Sequence, residues 1–364
     1  MHLNSYQSLI SILAFSLLML VGCNSSSSSD SGSTDTASTD TGSTDTGSTD
    51  TGTTSSAESL NVDNFVAGAL ASAEIEDCTL SDGTETTCYR IEAAGKAEGQ
   101  NIGPFCPRTT SSTAAEAGIW ISADSTAQVY DADGAFILNL ANLYNDTEWN
   151  GLYNADGSVN VTLTEEACDG AAQPNVEEQY KYNCVECSTD YLDGGAIAGT
   201  YLIPVTPIPA DTTSGVAATV GVALNGSELS GPAPVDAILA NYTIAAFDDC
   251  GGHINLNQGY HYHAATGCTA VGTQADGHAA LIGYAMDGYG IYAMKDADGN
   301  EEASLDECRG QTDDVRGYHY HAASAGENMF IGCNHGKTVA TTNAGGPPGG
   351  PPNGTPPNGM PPTN

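Results

Sequence analysis

One seven-residue phrase, GYHYHAA, occurs twice, at Gly259–Ala265 and at Gly317–Ala323, and it constrains the fold more than any other feature of the chain. The match extends backwards without a gap at an offset of 58 residues: FDDCGGHINLNQGYHYHAATG from Phe247 aligns with LDECRGQTDDVRGYHYHAASA from Leu305. Asp248 falls on Asp306, Cys250 on Cys308 and Gly252 on Gly310, while Gln311 stands where the first copy has His253. A duplication of this kind implies two related supersecondary units, packed about a pseudo-twofold axis.

Alternate side chains of a strand share a face. His261 and His263 therefore point one way and Tyr260 and Tyr262 the other, with the histidine Cα atoms about 6.6 Å apart. The same holds for His319 and His321 against Tyr318 and Tyr320. Two imidazoles so placed can converge on one first-row metal ion, whose nitrogen ligands sit at about 2.0–2.1 Å. Seven of the eight histidines lie between His253 and His335, so His253, His278 and His335 are candidate third ligands. Asp248, Asp306 and Asp287 can ligate, or can accept the second ring N–H of a histidine and fix its tautomer. Imidazole-rich sites without thiolate suit copper or zinc.

The rest of the ordered region predicts a mainly β, sandwich- or barrel-like single domain with few short helices. Short apolar runs (GIWIS, FILNL, VNVTL, YLIPVTP, TVGVALNG, YTIAAF, ALIGYAM, YGIYAM) alternate with Gly, Asn and Asp, as strands and turns do. A helix is expected over Ser59–Ala73, where Leu60, Phe65, Val66 and Leu70 recur at near-helical intervals. The phrase [DN]-A-D-G, at Asp131–Gly134, Asn154–Gly157 and Asp296–Gly299, suits tight hairpin turns. The third copy has carboxylates at calcium-loop spacing, but Glu301 stands where such a loop needs glycine, which favours a plain turn.

The ends and the cysteines address the compartment. Residues 8–23 form an apolar run too short to span a bilayer comfortably, and Leu20-Val21-Gly22-Cys23 resembles the bacterial lipobox, although the preceding residues carry no Lys or Arg. On this reading residues 1–22 are a lipoprotein signal peptide, Cys23 is acylated, and residues 23–58 are a disordered Ser/Thr/Asp/Gly tether. Asn24 rather than Asp follows the cysteine, so the expected location is the outer membrane, with the membrane as partner through the lipid. Residues 341–364 form a Pro/Gly-rich tail. Setting Cys23 aside, ten cysteines remain, an even number that suits disulfides in an exported protein: Cys78, Cys88, Cys106, Cys168, Cys184, Cys187, Cys250, Cys268, Cys308 and Cys333. Nearness in sequence pairs Cys250 with Cys268, Cys308 with Cys333 and Cys78 with Cys88; spacing alone leaves the connectivity open. A net charge of −37 with only eight Lys and Arg argues against nucleic acid and anionic lipid surfaces, which would repel the chain.

Taken together, YLIPVTPIP (Tyr201–Pro209), GVALNG (Gly221–Gly226), DDCGGH (Asp248–His253), the two YHYH tetrads, LIGYAMDGYGIY (Leu281–Tyr292) and IGCNHG (Ile331–Gly336) resemble the YHYH-domain family of secreted and surface proteins. The resemblance covers residues 200–340, after an N-terminal β-rich part at 59–199, and departs at Gln311, where the family tends to place a second histidine. It implies an exported domain with two such motifs and no established reaction. The expected function is transition-metal binding by a surface-anchored protein. The alternatives are a metal-dependent hydrolase or oxidoreductase, and a structural or adhesive module whose His, Tyr and Asp form core networks. No Gly-x-Ser-x-Gly elbow, HExxH or phosphate loop offers a metal-free enzyme.

Overall fold

A computed structural model of the chain describes residues 58–340, except 174 and 269–271. The expected signal peptide, Cys23, all but the last residue of the tether and the tail from 341 lie outside the described residues. The described part is strand-rich, with seventeen strands and three short α-helices.

A three-stranded antiparallel sheet joins β1 (Leu70–Thr79), β2 (Glu85–Ala93) and β3 (Gly199–Pro204) in that order. The main sheet has eight strands: β4 (Thr219–Ala223), β5 (Glu228–Ser230), β6 (Gly252–Asn255), β7 (Gly259–Tyr262), β8 (Leu281–Ala285), β9 (Gly290–Tyr292), β10 (Gly310–Asp313) and β11 (Gly317–His321). Their spatial order is β6-β7-β5-β4-β8-β9-β11-β10, with β4 and β8 antiparallel at the centre. Each half is one antiparallel hairpin (β6–β7 or β10–β11) set parallel onto another (β5–β4 or β9–β8). The halves are therefore related by a pseudo-twofold axis normal to the sheet. The sheet is open, so the barrel alternative is not met: its edges are β6 and β10, and no ladder joins them.

The duplication is larger than the tetrad repeat. Hairpin β4–β5 matches β8–β9, with GVALNG (Gly221–Gly226) on GYAMDG (Gly283–Gly288), but at an offset of 62 residues rather than 58. Both turns use a glycine at positive φ, Gly226 at 86° and Gly288 at 93°. A Cβ at Gly226 would lie 2.5 Å from the Ala69 carbonyl oxygen and one at Gly288 2.7 Å from that of Pro204, so both turns press on backbone bordering the small sheet.

That small sheet covers the middle of one face of the large one. Ile91, Ala93, Tyr201 and Ile203 share a buried cluster with Val222, Leu281, Tyr284 and Tyr292. A second core combines Trp120, Phe136, Ile137, Leu140 and Trp149 with Tyr260, Tyr262 and Tyr320, so residues before and after position 200 bury one another. Five disulfides pair all ten cysteines from Cys78 onward: Cys78–Cys88, Cys106–Cys184, Cys168–Cys187, Cys250–Cys268 and Cys308–Cys333. Cys184 and Cys187 thus each bond elsewhere, and their CxxC spacing has no redox or metal role.

Three local expectations are corrected. Residues 59–73 form no α-helix: a 3-10 turn spans Val62–Asn64, Gly68 sits at φ 91°, and β1 starts at Leu70, because pairing with β2 outweighs the helical spacing. FILNL lies in helix α1 (Gly134–Leu143), whose N-cap Asp133 accepts the Phe136 N–H at 2.8 Å. Asp131–Gly134 is therefore a helix start, whereas Gly157 and Gly299 do take positive φ in turns. Among the described residues no helix is long and apolar enough to cross a membrane.

Candidate metal centres

In both copies an Asx turn sets up the tetrad strand. Asn255 accepts the N–H groups of Asn257 and Gln258, and Asp313 those of Val315 and Arg316, which delivers Gly259 and Gly317 at positive φ into β7 and β11. From there the tyrosines turn to one face and the histidines to the other.

On the tyrosine face, the first tyrosine of each tetrad donates to the aspartate twelve residues before it: Tyr260 to Asp248 at 2.9 Å and Tyr318 to Asp306 at 2.9 Å. Burial pushes the Tyr260 phenol up, which keeps it a donor. Both aspartates also accept backbone N–H groups, from Cys250 and Gly252 in one copy and Cys308 and Gly310 in the other. The second tyrosine meets the hairpin turn: Asn225 donates to Tyr262 at 2.7 Å, and Tyr320 donates to Asp287. Gln100 bridges Tyr260 and Tyr262 in copy one. In copy two, Gly336 N–H donates to Asp287 and His335 N–H to Tyr320.

Asp248, Asp306 and Asp287 thus bond tyrosines and backbone, away from the imidazoles they were expected to ligate or orient. His335 is also remote from the other histidines, its ring stacked on Tyr318 at 3.7 Å. Spacing along the chain places these residues near the tetrads but does not say on which face.

The remaining six histidines form two trios. His253, His261 and His263 make one, and His278, His319 and His321 the other; in each, one ligand atom per residue lies within 4.8 Å of the others. His253 reaches its trio because it pairs with His261 across β6 and β7. Gln311 holds the equivalent place beside His319, and His278 enters from the segment before β8. The sequence signal for His278 is only its membership of the histidine-rich window.

Backbone carbonyls orient the rings. Nδ1 of His261 lies 2.9 Å from Gly259 O, and Nδ1 of His319 lies 3.0 Å from Gly317 O. Nδ1 of His263 meets Gly231 O at 2.6 Å, and Nδ1 of His321 meets Ala293 O at 3.1 Å. His278 Nδ1 lies 3.0 Å from Ala279 O. A carbonyl only accepts, so each of these Nδ1 atoms carries the hydrogen and each Nε2 is left with a lone pair. The nearest approaches are between Nε2 atoms: His278 and His319, both so oriented, at 3.1 Å, and His253 and His261 at 3.1 Å, of which only His261 has its Nδ1 on a carbonyl.

Burial favours the neutral form of five of the six rings. It drives His261 down to about 3, His263 to about 4 and His321 to about 4, and lowers His253 and His319 as well. The trios have different surroundings. Phe247 packs on His253 and His263 at 4.9 and 5.6 Å, whereas Tyr292 packs on His278 and His319 at 4.9 and 5.1 Å. The Gln311 side-chain amide lies 3.0 Å from His321 Nε2. A larger surface groove of about 860 Å³, lined by Glu148, Asn160 and Tyr182 among others, includes none of these histidines.

Residues 200–303 match the family model described as YHYH protein, a segment holding the first trio, His278 and both central hairpins. No curated protein and no solved structure matches the chain.

Proposed function

For this YHYH-domain protein we propose a function in binding transition-metal ions at two three-histidine centres per chain, His253/His261/His263 and His278/His319/His321. The observation that carries the reading is the second trio. All three of its Nδ1 atoms face carbonyl oxygens, which leaves the three Nε2 atoms as the ligands turned inward, two of them 3.1 Å apart. The Gln311 amide nitrogen lies 3.0 Å from His321 Nε2 and 3.4 Å from His319 Nε2, which leaves the close His278–His319 pair for a shared cation to bridge. Ligand nitrogens at about 2.0–2.1 Å from a tetrahedral ion would stand about 3.3–3.4 Å apart, close to this spacing.

Copper or zinc fits the donor set: neutral imidazole nitrogens, with every cysteine of the domain held in a disulfide. The protein's place in this reading is the outer membrane, where lipid on Cys23 and the acidic tether hold the domain. Replacing Cys23 with Ser should free it from the membrane fraction; unchanged fractionation contradicts the anchor. The binding itself is tested by adding copper or zinc to chelator-treated protein and following its melting temperature. A rise saturating at two equivalents is expected, and an unchanged melting temperature with no metal retained contradicts the reading.

A further inference from the structure

The two halves differ beside the histidines in a way that bears on what each ion could do. In copy one, Glu228 is the register partner of His261, so it projects on the histidine face. It is buried, and its oxygens are taken up by Ser230, Gln258 and Thr219, with Tyr201 at 3.4 Å. Three members of that group are replaced in copy two: Glu228 by Gly290, Ser230 by Tyr292, and Gln258 by Arg316.

Where copy one has the glutamate, Leu281 and Tyr292 come within 3.1 Å of the place a Cβ would take at Gly290, and a cavity of about 10 Å³ remains, lined by His319, Gly290, Tyr292, Arg316 and Glu58 among others. That is roughly room for one water molecule. Arg316 is buried, at 5% exposure; its Nη atoms pair with Asp276 and Asp313, while its Nε has no hydrogen-bond partner. A buried guanidinium N–H without an acceptor costs free energy unless a ligand supplies one. One wall of the cavity is thus a metal-ligating histidine and another a residue with a free donor.

We propose that the second centre, unlike the first, keeps an exchangeable coordination position for a water-sized ligand or the end of a small anion, which accepts a hydrogen bond from Arg316 Nε. This rests on the two-centre reading above. It assigns three histidines to each ion, with the adjoining space filled by the buried Glu228 side chain at the first and left open to a further ligand at the second. An open position is what a metal ion needs to activate water or bind a substrate oxygen.

The test uses the protein loaded with copper(II) and titrated with azide. Copper content is read first, then the azide-to-copper charge-transfer absorption. Two coppers per chain, with an azide band from one of them, are expected. The band should survive His261→Ala/His263→Ala, which removes the first centre, and vanish in His278→Ala. Gly290→Glu, which installs the residue of copy one, should abolish the band with both coppers retained, and Arg316→Gln should weaken azide binding about tenfold or more. The copper of the first centre reports that each second-centre variant is folded, and the surviving azide band reports it for His261→Ala/His263→Ala. Two bound coppers without an azide band, or a band that persists in Gly290→Glu or follows the first centre, overturns the proposal and leaves metal binding standing. Failure to bind copper at the second centre overturns both.

Discussion

The two halves of the large sheet share a backbone plan and differ in what fills it. In each, a tetrad strand sends its tyrosines to an aspartate and a hairpin turn, and its histidines to backbone carbonyls. Copy one completes its trio from within the repeat, with His253. Copy two has Gln311 there and recruits His278 from outside it. A third imidazole thus reaches each pair by a different route. A packed core needs only filled volume, whereas two independent routes to three inward-facing nitrogens are what a metal requirement would preserve.

Acid gives the largest expected effect on metal-free protein. The folded chain keeps His261, His263 and His321 neutral down to about 3 to 4, while the unfolded chain takes up these protons near the ordinary value of 6.5. The unfolded state binds more protons throughout that window, so stability is complete above it and falls as the pH drops from 6.5 toward 4. Urea denaturation at pH 7 and pH 4.5 should differ by several kcal/mol, and the loss should be smaller in His261→Asn/His263→Asn. Equal stability at both pH values would contradict neutral burial of the rings.

The tyrosine face separates the halves next. Tyr320 donates to the buried carboxylate of Asp287, whereas Tyr262 meets the neutral amide of Asn225. Tyr320→Phe should therefore cost about 2–3 kcal/mol and Tyr262→Phe about 1 kcal/mol. Asp287→Asn, which copies the first half, should narrow that gap in a double-mutant cycle. A reversed order would mean that the two turns are not equivalent. An effect of similar size, about 1 kcal/mol, is expected from Gln100→Ala. It bridges the tyrosines of copy one alone, so metal affinity at the second centre should not change.

Much of this was legible in the chain because strand periodicity is short. The opposite facing of His261/His263 and Tyr260/Tyr262, the mainly β fold, and the disulfides between near neighbours in sequence all follow from local spacing. The hairpin half of the duplication is present as GVALNG and GYAMDG, but its offset of 62 breaks a gapless comparison made at 58. The roles of His278, Gln311 and Arg316 depend on which strands lie side by side, which one sequence does not encode locally. Asp248, Asp306 and Asp287 stood near the histidines in the chain and went to the other face. FILNL reads as a strand because four apolar residues around Asn139 fit a buried strand or a helix equally well; the Asp133 cap is the signal that separates them.

The central claim is that each half holds one metal ion through its own trio. It is tested most directly by elemental analysis of four proteins after equilibrium with copper or zinc and removal of the excess: wild type, His261→Ala/His263→Ala, His319→Ala/His321→Ala, and the combination of all four substitutions. Two, one, one and no equivalents are expected. A wild type retaining less than about a tenth of an equivalent, or double variants that still hold two, would contradict it.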